Sequence, residues 1–231
     1  ALLNYINKDV ERNLLKLVDW AQNFMGDIFD ERYYDETRKL IVDKDSKWMK
    51  YLENMIKEIH PNVLKTHVLN LGYEASLYGL KKIHKMREVH NCNVPWAILM
   101  DPTSACNLNC TGCWAAEYGH NLNLTFDEMD SIIKQGKELG THFFIFAGGE
   151  PLVRKDDIIK LCEKHKDCAF HAFTNGTLID EKLCEDMQRV GNFSVAISIE
   201  GFRESNDSRR GEGTFDKVMR AMDLMKDHGL L

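Results

Sequence analysis

No apolar run in the chain approaches the roughly 18 residues that a membrane-spanning helix needs; the longest candidate, Phe143-Phe-Ile-Phe-Ala147, has the length of a strand. The N-terminus also lacks a basic region followed by an apolar signal core. A transmembrane or secreted protein is therefore not expected. An excess of positive charge is missing too: 30 Lys and Arg stand against 36 Asp and Glu, a net charge of -6 with His neutral. The basic residues are scattered among the acids, so no nucleic-acid partner is expected. The seven cysteines are odd in number and three of them fall within eight residues. That distribution suits a disulfide framework poorly and predicts a reduced, cytoplasmic setting.

What is present is an ordinary globular balance of 44% hydrophobic and 29% charged residues, and one unusual stretch. Cys106-Asn-Leu-Asn-Cys110-Thr-Gly-Cys113 places three soft ligands at C-x3-C-x2-C spacing just after the apolar run Trp96-Ala-Ile-Leu-Met100. Thiolates select zinc, copper(I) or iron–sulfur clusters, and structural zinc commonly closes with two separated cysteine pairs. No second pair follows. A triplet without a fourth ligand suits a four-iron cluster that keeps one iron open for a small molecule. Two other readings stand beside it, a non-catalytic iron–sulfur protein for electron transfer or sensing and a zinc-stabilised interaction module.

Residues 1–92 are dense in Lys, Glu, Asp, Leu and Met, with apolar residues at helical spacing such as Leu14, Leu15, Leu17, Val18 and Ala21. Several helices are expected there, broken near Gly26, at Asp43–Ser46 with Ser46 as an N-cap, and at His60-Pro61-Asn62. Tyr33, Tyr34, Trp48 and Tyr51 sit at helical spacing and are expected in a core. From residue 93 the period changes. Strands are expected over Trp96–Met100, His142–Ala147, Cys168–Phe173 and Phe193–Glu200, each followed by a helical pattern, the first opened by Thr125 and ended at Gly140. Strand and helix in alternation predict a parallel α/β fold. The chain thus divides into a helical module over 1–92 and an α/β portion over 93–231. Cys162, Cys168 and Cys184 fall within helix or strand patterns and are expected to be buried small hydrophobes, whereas Cys92 lies in the linker.

Each predicted strand ends in a short polar or glycine-rich motif: the cysteine triplet, Gly148-Gly149-Glu150-Pro151, Thr174-Asn175-Gly176-Thr177, and Ser198-Ile-Glu200-Gly201. Strand C-termini of parallel βα units lie on one face, so the four motifs are expected to converge. In these residues the chain resembles the radical S-adenosylmethionine (SAM) enzymes, over roughly residues 94–229. The resemblance implies a partial parallel (βα) barrel of six units, of which this stretch carries about four and looks truncated at its C-terminal end. It further implies a 4Fe–4S cluster on Cys106, Cys110 and Cys113. Gly148, Gly149, Glu150 and Pro151 would serve the SAM amino group, Ser198 and Glu200 the ribose, and Arg210 the carboxylate. Asn175 is a further site candidate that turn chemistry alone also explains; for Arg210 the plain alternative is a surface loop with a helix cap at Thr214. The activity implied is reductive cleavage of SAM to a 5′-deoxyadenosyl radical that abstracts hydrogen from a substrate. The electron would come from a flavodoxin or ferredoxin, and the substrate, a small molecule, lipid or peptide, is not written in this stretch. The chain departs from the family at Gly112, where an aromatic residue usually precedes the third cysteine; Trp114 stands on the other side.

Overall fold

The computed structural model describes residues 9–230; the first eight residues of the expected helical module lie outside them. Compact packing divides the chain into two units, Ala1–Ile59 and His60–Leu231.

Among its described residues the first unit has three α-helices, α1 (Val10–Met25), α2 (Glu31–Val42) and α3 (Lys47–Glu58). Their starts are set by side-chain caps: Asp9, Asp30 and Ser46 accept from Arg12 N, Arg32 N and Met49 N, removing one unpaired amide from each first turn. The expected Ser46 cap is therefore observed. The aromatic core expectation is corrected for three of four residues: Tyr34 is buried, but Tyr33, Trp48 and Tyr51 are exposed. For Trp48 and Tyr51 the reason is that α3 buries none of its residues, so spacing on that helix marks a face and not a core; Tyr33 is the neighbour of Tyr34 on α2, and adjacent helical residues do not share a face.

The second unit opens with α4 (Pro61–His67), a π-helical stretch over Val68–Gly79 and α5 (Leu80–His90). Pro61 occupies the first turn of α4, where its missing amide costs nothing. Then follow β1 (Ala97–Met100), α6 (Phe126–Leu139), β2 (Phe143–Phe146), α7 (Lys155–Lys164), β3 (Ala169–Thr174), α8 (Glu181–Val190), β4 (Phe193–Ile197), α9 (Arg203–Arg210) and α10 (Thr214–Asp227). The four strands form one sheet in the order β1-β2-β3-β4, all parallel. This is the predicted α/β architecture, with strand ends moved by a residue or two and β4 stopping at Ile197 instead of Glu200.

Alternation along each strand sends one set of side chains under the helices. Register places Phe144 beside Phe170 and Phe170 beside Phe193, and all three are buried with Phe146. The Phe170 ring stacks on Phe144 and Phe146 at 5.8 Å each. Met129 and Ile133 of α6, Ile158 and Leu161 of α7, Leu183 and Met187 of α8, and Val218 and Ala221 of α10 are buried as well. Their spacing is the helical stripe read from the sequence. Cys162, Cys168 and Cys184 are buried, and burial pushes the Cys184 thiol up to about 11.

Helices α4 and the π-helical stretch hold the N-terminal ends of the strands. Asn70 Nδ2 donates to Lys166 O and Cys168 O at 2.8 Å each, just before β3. Asn62 Nδ2 donates to Gln188 O at 2.7 Å, and Trp96 Nε1, beside β1, donates to Ala75 O at 3.0 Å. The opposite, C-terminal ends are left for the motif-bearing loops.

Candidate functional site

The cysteine loop leaves β1 and is fixed by its neighbours before it reaches Cys106. Ser104 N donates to Leu122 O at 2.8 Å and Leu122 N to Ser104 Oγ at 3.0 Å, folding residues 121–124 against its start. From β2, Gly149 N donates to Thr103 O at 3.0 Å and Glu150 N to Ala105 O at 2.8 Å. A Cβ on Gly149 would lie 2.3 Å from Ala105 O and 2.5 Å from Ser104 O; one on Gly148 would lie 2.6 Å from Thr103 O. The diglycine therefore exists first to let two backbones touch, and the Gly149 amide is committed to that contact. Gly112 has φ +68°, a left-handed conformation that an aromatic residue there would find strained, which is a physical reason for this chain's departure at that position.

Glu150 joins the loops to β3. It is 1% exposed; its Oε1 accepts from Thr174 Oγ1 (2.6 Å) and Leu152 N (3.0 Å), and its Oε2 from Asn175 N (2.7 Å). Burial pushes its carboxyl above the ordinary glutamate range, against the pull of these donors. Pro151 begins a short 3₁₀ turn over Pro151–Arg154 and is buried. Asn175 donates through Nδ2 to Asn107 Oδ1 at 2.9 Å, and its Oδ1 accepts from Thr177 N at 2.9 Å and Thr177 Oγ1 at 2.7 Å. It thus braces the cysteine loop as well as making its own turn.

After Ser198, whose amide extends the ladder by donating to Thr174 O at 2.8 Å, the chain enters α9, a helix that the sequence did not announce. Its residues, Arg-Glu-Ser-Asn-Asp-Ser-Arg-Arg, contain no apolar stripe for periodicity to detect. The expected cap at Thr214 is replaced: Thr214 is the first residue of α10, and Asp207 Oδ1 and Oδ2 accept from Phe215 N (2.8 Å) and Gly213 N (3.0 Å). Those amides hold the Asp207 carboxyl at about 2. At the end of α9, Arg210 and Arg209 reach Glu200 at 2.6 and 2.9 Å, while Arg209 O accepts from Thr111 N at 2.8 Å. Helix α9 thus pins the middle of the cysteine loop.

The result is a cavity of about 190 Å³ lined by Cys106, Cys110 and Cys113 together with Gly148, Gly149, Glu150, Asn175, Ser198 and Arg210. Of the residues singled out in the sequence, Pro151 and Glu200 are outside this lining: Pro151 is buried at the turn, and Glu200 is held by two guanidinium groups. Trp114 and Thr174, named in the sequence beside the third cysteine and in the third motif, line it too, and Arg209 and Phe173 line it unannounced; the Arg209-Arg210 doublet was the available signal for Arg209. Arg210 lines the cavity with its side chain mostly buried, and its buried Nε has no hydrogen-bond partner among the described residues. Burial pushes the Cys106 and Cys110 thiols up, and for Cys110 the guanidinium of Arg210 acts in the opposite direction. Among the described residues no three His, Cys, Asp or Glu side chains converge as one shared ion would require. All three thiols line the same cavity, with no fourth cysteine among its described lining residues, and three soft sulfur donors without a fourth fit a four-iron cluster with one iron open.

A second cavity, of about 370 Å³, shares Trp114, Ala115, Gly148 and Gly149 with the first and is completed by Asp101, Ser104, Tyr118, Leu122, Asn123 and Leu124.

A family profile described as the radical SAM superfamily matches residues 100–231. An Fe-coproporphyrin III synthase of Methanosarcina barkeri is 32% identical over 138 residues, covering 58% of this chain and 34% of the relative. A cysteine-type anaerobic sulfatase-maturating enzyme of Clostridium perfringens is 32% identical over 155 residues, covering 58% and 42%. The chain therefore spans less than half the length of either. Among solved structures, native anSMEcpe with bound AdoMet is similar at 28% identity and a TM-score of 0.50, over 58% of this chain and 42% of that one. Streptococcus suis SuiB bound to S-adenosylmethionine is 20% identical with a TM-score of 0.56 over 67% and 37%, a likeness of fold.

Proposed function

The chain belongs to the radical SAM superfamily, and on that premise we propose that it forms the cofactor-binding part of an enzyme that cleaves SAM reductively. Cys106, Cys110 and Cys113 hold a 4Fe–4S cluster, and SAM occupies the cavity beside them. When bound, the cluster and SAM together supply a one-electron cleavage of the sulfonium C–S bond, yielding the 5′-deoxyadenosyl radical that takes hydrogen from the substrate. The electron comes from a flavodoxin or ferredoxin, and the reaction runs in the cytoplasm. The substrate is a small molecule, lipid or peptide admitted at the same end of the sheet. Residues 93–231 carry the chemistry, and the helical module over 1–92 serves as a lid, a partner-docking surface or a cover.

The observation that carries this reading is the gathering of three thiols, the diglycine, Asn175, Ser198 and Arg210 around one cavity at the strand C-termini. The residues divide the work. The thiols, once deprotonated, are the soft donors. Gly148 and Gly149 bring backbone to the cavity wall without a side chain. Arg210, held by Glu200, offers its guanidinium to a carboxylate, with which it makes fixed, charge-assisted bonds. Ser198, also in the lining, supplies a hydroxyl for the ribose, and Glu200 orients the two arginines. Glu150 and Pro151 shape the loop that faces the SAM amino group.

The test is electron paramagnetic resonance of anaerobically reconstituted, reduced protein with and without SAM. A cluster signal that shifts on adding SAM is expected. A cluster signal indifferent to SAM would favour an electron-transfer or sensing protein, and zinc without inorganic sulfide would overturn the cluster.

A further inference from the structure

The second cavity has a chemistry of its own. Its floor is the contact between β1 and β2: Asp101 follows Met100 directly, and Gly148 has no side chain because a Cβ there would stand 2.9 Å from Asp101 Cβ and 3.2 Å from Asp101 Cγ. Asp101 is exposed, and its carboxylate makes no hydrogen bond or ion pair among the described residues, so it is free to meet a guest; partial desolvation pushes it above the ordinary aspartate range. Around it stand exposed apolar surfaces: Trp114 and Tyr118, packed edge to face at 5.9 Å, and Leu122. No Lys, Arg or His is among the described lining residues. The nearby Arg154 is committed, donating to Leu124 O at 2.9 Å and to Asp157 at 2.7 Å.

An unpaired carboxylate and two aromatic rings favour the same kind of guest. The carboxylate attracts a cation or a hydrogen-bond donor, ring faces attract a cation through their quadrupole, and the apolar walls take a ring-sized hydrophobic body. A guest bearing a carboxylate meets repulsion instead. We propose that this cavity is the substrate pocket and that it selects a substrate presenting a protonated amine on an apolar or aromatic body, with Asp101 as the specificity-determining residue. The inference rests on the thiol cavity being the SAM site, which leaves its larger neighbour, across the shared wall of Trp114, for the substrate.

Three indoles of one shape test it: tryptamine, the neutral 3-ethylindole and the acidic indole-3-propionate, titrated onto the reconstituted protein by calorimetry. Tryptamine is expected to bind about tenfold tighter than the neutral compound, and indole-3-propionate weakest. Asp101→Asn should abolish that ranking while leaving 3-ethylindole unaffected, and Trp114→Ala should weaken all three. Saturating SAM should leave tryptamine bound. Equal binding of amine and acid, absence of binding by any probe, an unchanged ranking in Asp101→Asn, or displacement of tryptamine by SAM would each overturn the proposal. Failure of the parent reading shows separately: a protein that ranks the indoles as expected without any SAM-dependent change in its cluster signal keeps the amine pocket and loses the SAM site.

Discussion

Glu150 shows how much one side chain can do in this protein. Buried with three donors aimed at it, it ties the second motif to the third. Glu150→Ala should lower stability by about 2–4 kcal/mol, because it leaves buried donors unpaired; a loss under about 1 kcal/mol in urea unfolding would refute that role. Its titration has a definite sign. Burial raises the folded carboxyl's pKa, so the protonated form is the one folding favours. The stability of the wild type relative to Glu150→Gln should therefore fall as pH rises from about 4.3, the unfolded value, through the raised folded one. Urea midpoints of the two proteins between pH 4 and 7 would show the trend or its absence. Gly149 makes a sharper residue-level case, since the sequence assigned it to the ligand whereas its closest neighbours are Ala105 O and Ser104 O. Gly149→Ala should displace the cysteine loop, lowering iron and sulfide content as well as SAM binding and costing about 1–3 kcal/mol through overpacking. A variant that loaded its cluster fully would place the constraint back on the ligand.

Among the elements, those with an apolar stripe were legible and those without were not. The sequence announced β1 to β4 and the helices that cover them because short apolar runs such as Trp96–Met100 and Phe143–Ala147 have strand length and Met129, Ile133, Val218 and Ala221 recur at helical spacing. The three thiols and the diglycine were legible because few other chemistries use such residues so closely. Helix α9 was invisible: eight polar residues hold their place through Asp207, Arg209 and Arg210, pairings made only in three dimensions. The exposure of Trp48 and Tyr51 was likewise hidden, since spacing says which residues share a face and not whether anything covers it. Asp207 provides the test at this scale. Its low pKa of about 2 comes from amides at the start of α10, so its support is present above the unfolded aspartate range near 3.9 and drains away as pH falls toward 2. In Asp207→Ala the Phe215 and Gly213 amides should exchange with deuterium faster than in the wild type at neutral pH, and that difference should shrink in acid; equal protection at neutral pH would remove Asp207 as the cap.

Taken as a whole, the second unit is a sheet closed at its N-terminal end by α4 and the π-helical stretch and furnished at its C-terminal end with two adjoining cavities. Ligands that bind only the folded form raise its stability, by about 2.7 kcal/mol at a hundredfold excess over the dissociation constant. SAM should accordingly raise the melting temperature of the reconstituted protein and leave that of a Cys110→Ala variant unchanged; an equal rise in both would detach SAM binding from the thiols. The distribution of sulfur over the molecule has one more consequence. Cys162, Cys168 and Cys184 are sealed in the interior, Cys92 is exposed, and Cys106, Cys110 and Cys113 are partly accessible. A thiol-counting reagent applied to the native fold should therefore find four reactive sulfurs in the bare chain and one when the loop is occupied, so that the protein carries its own gauge of how many molecules in a preparation are loaded.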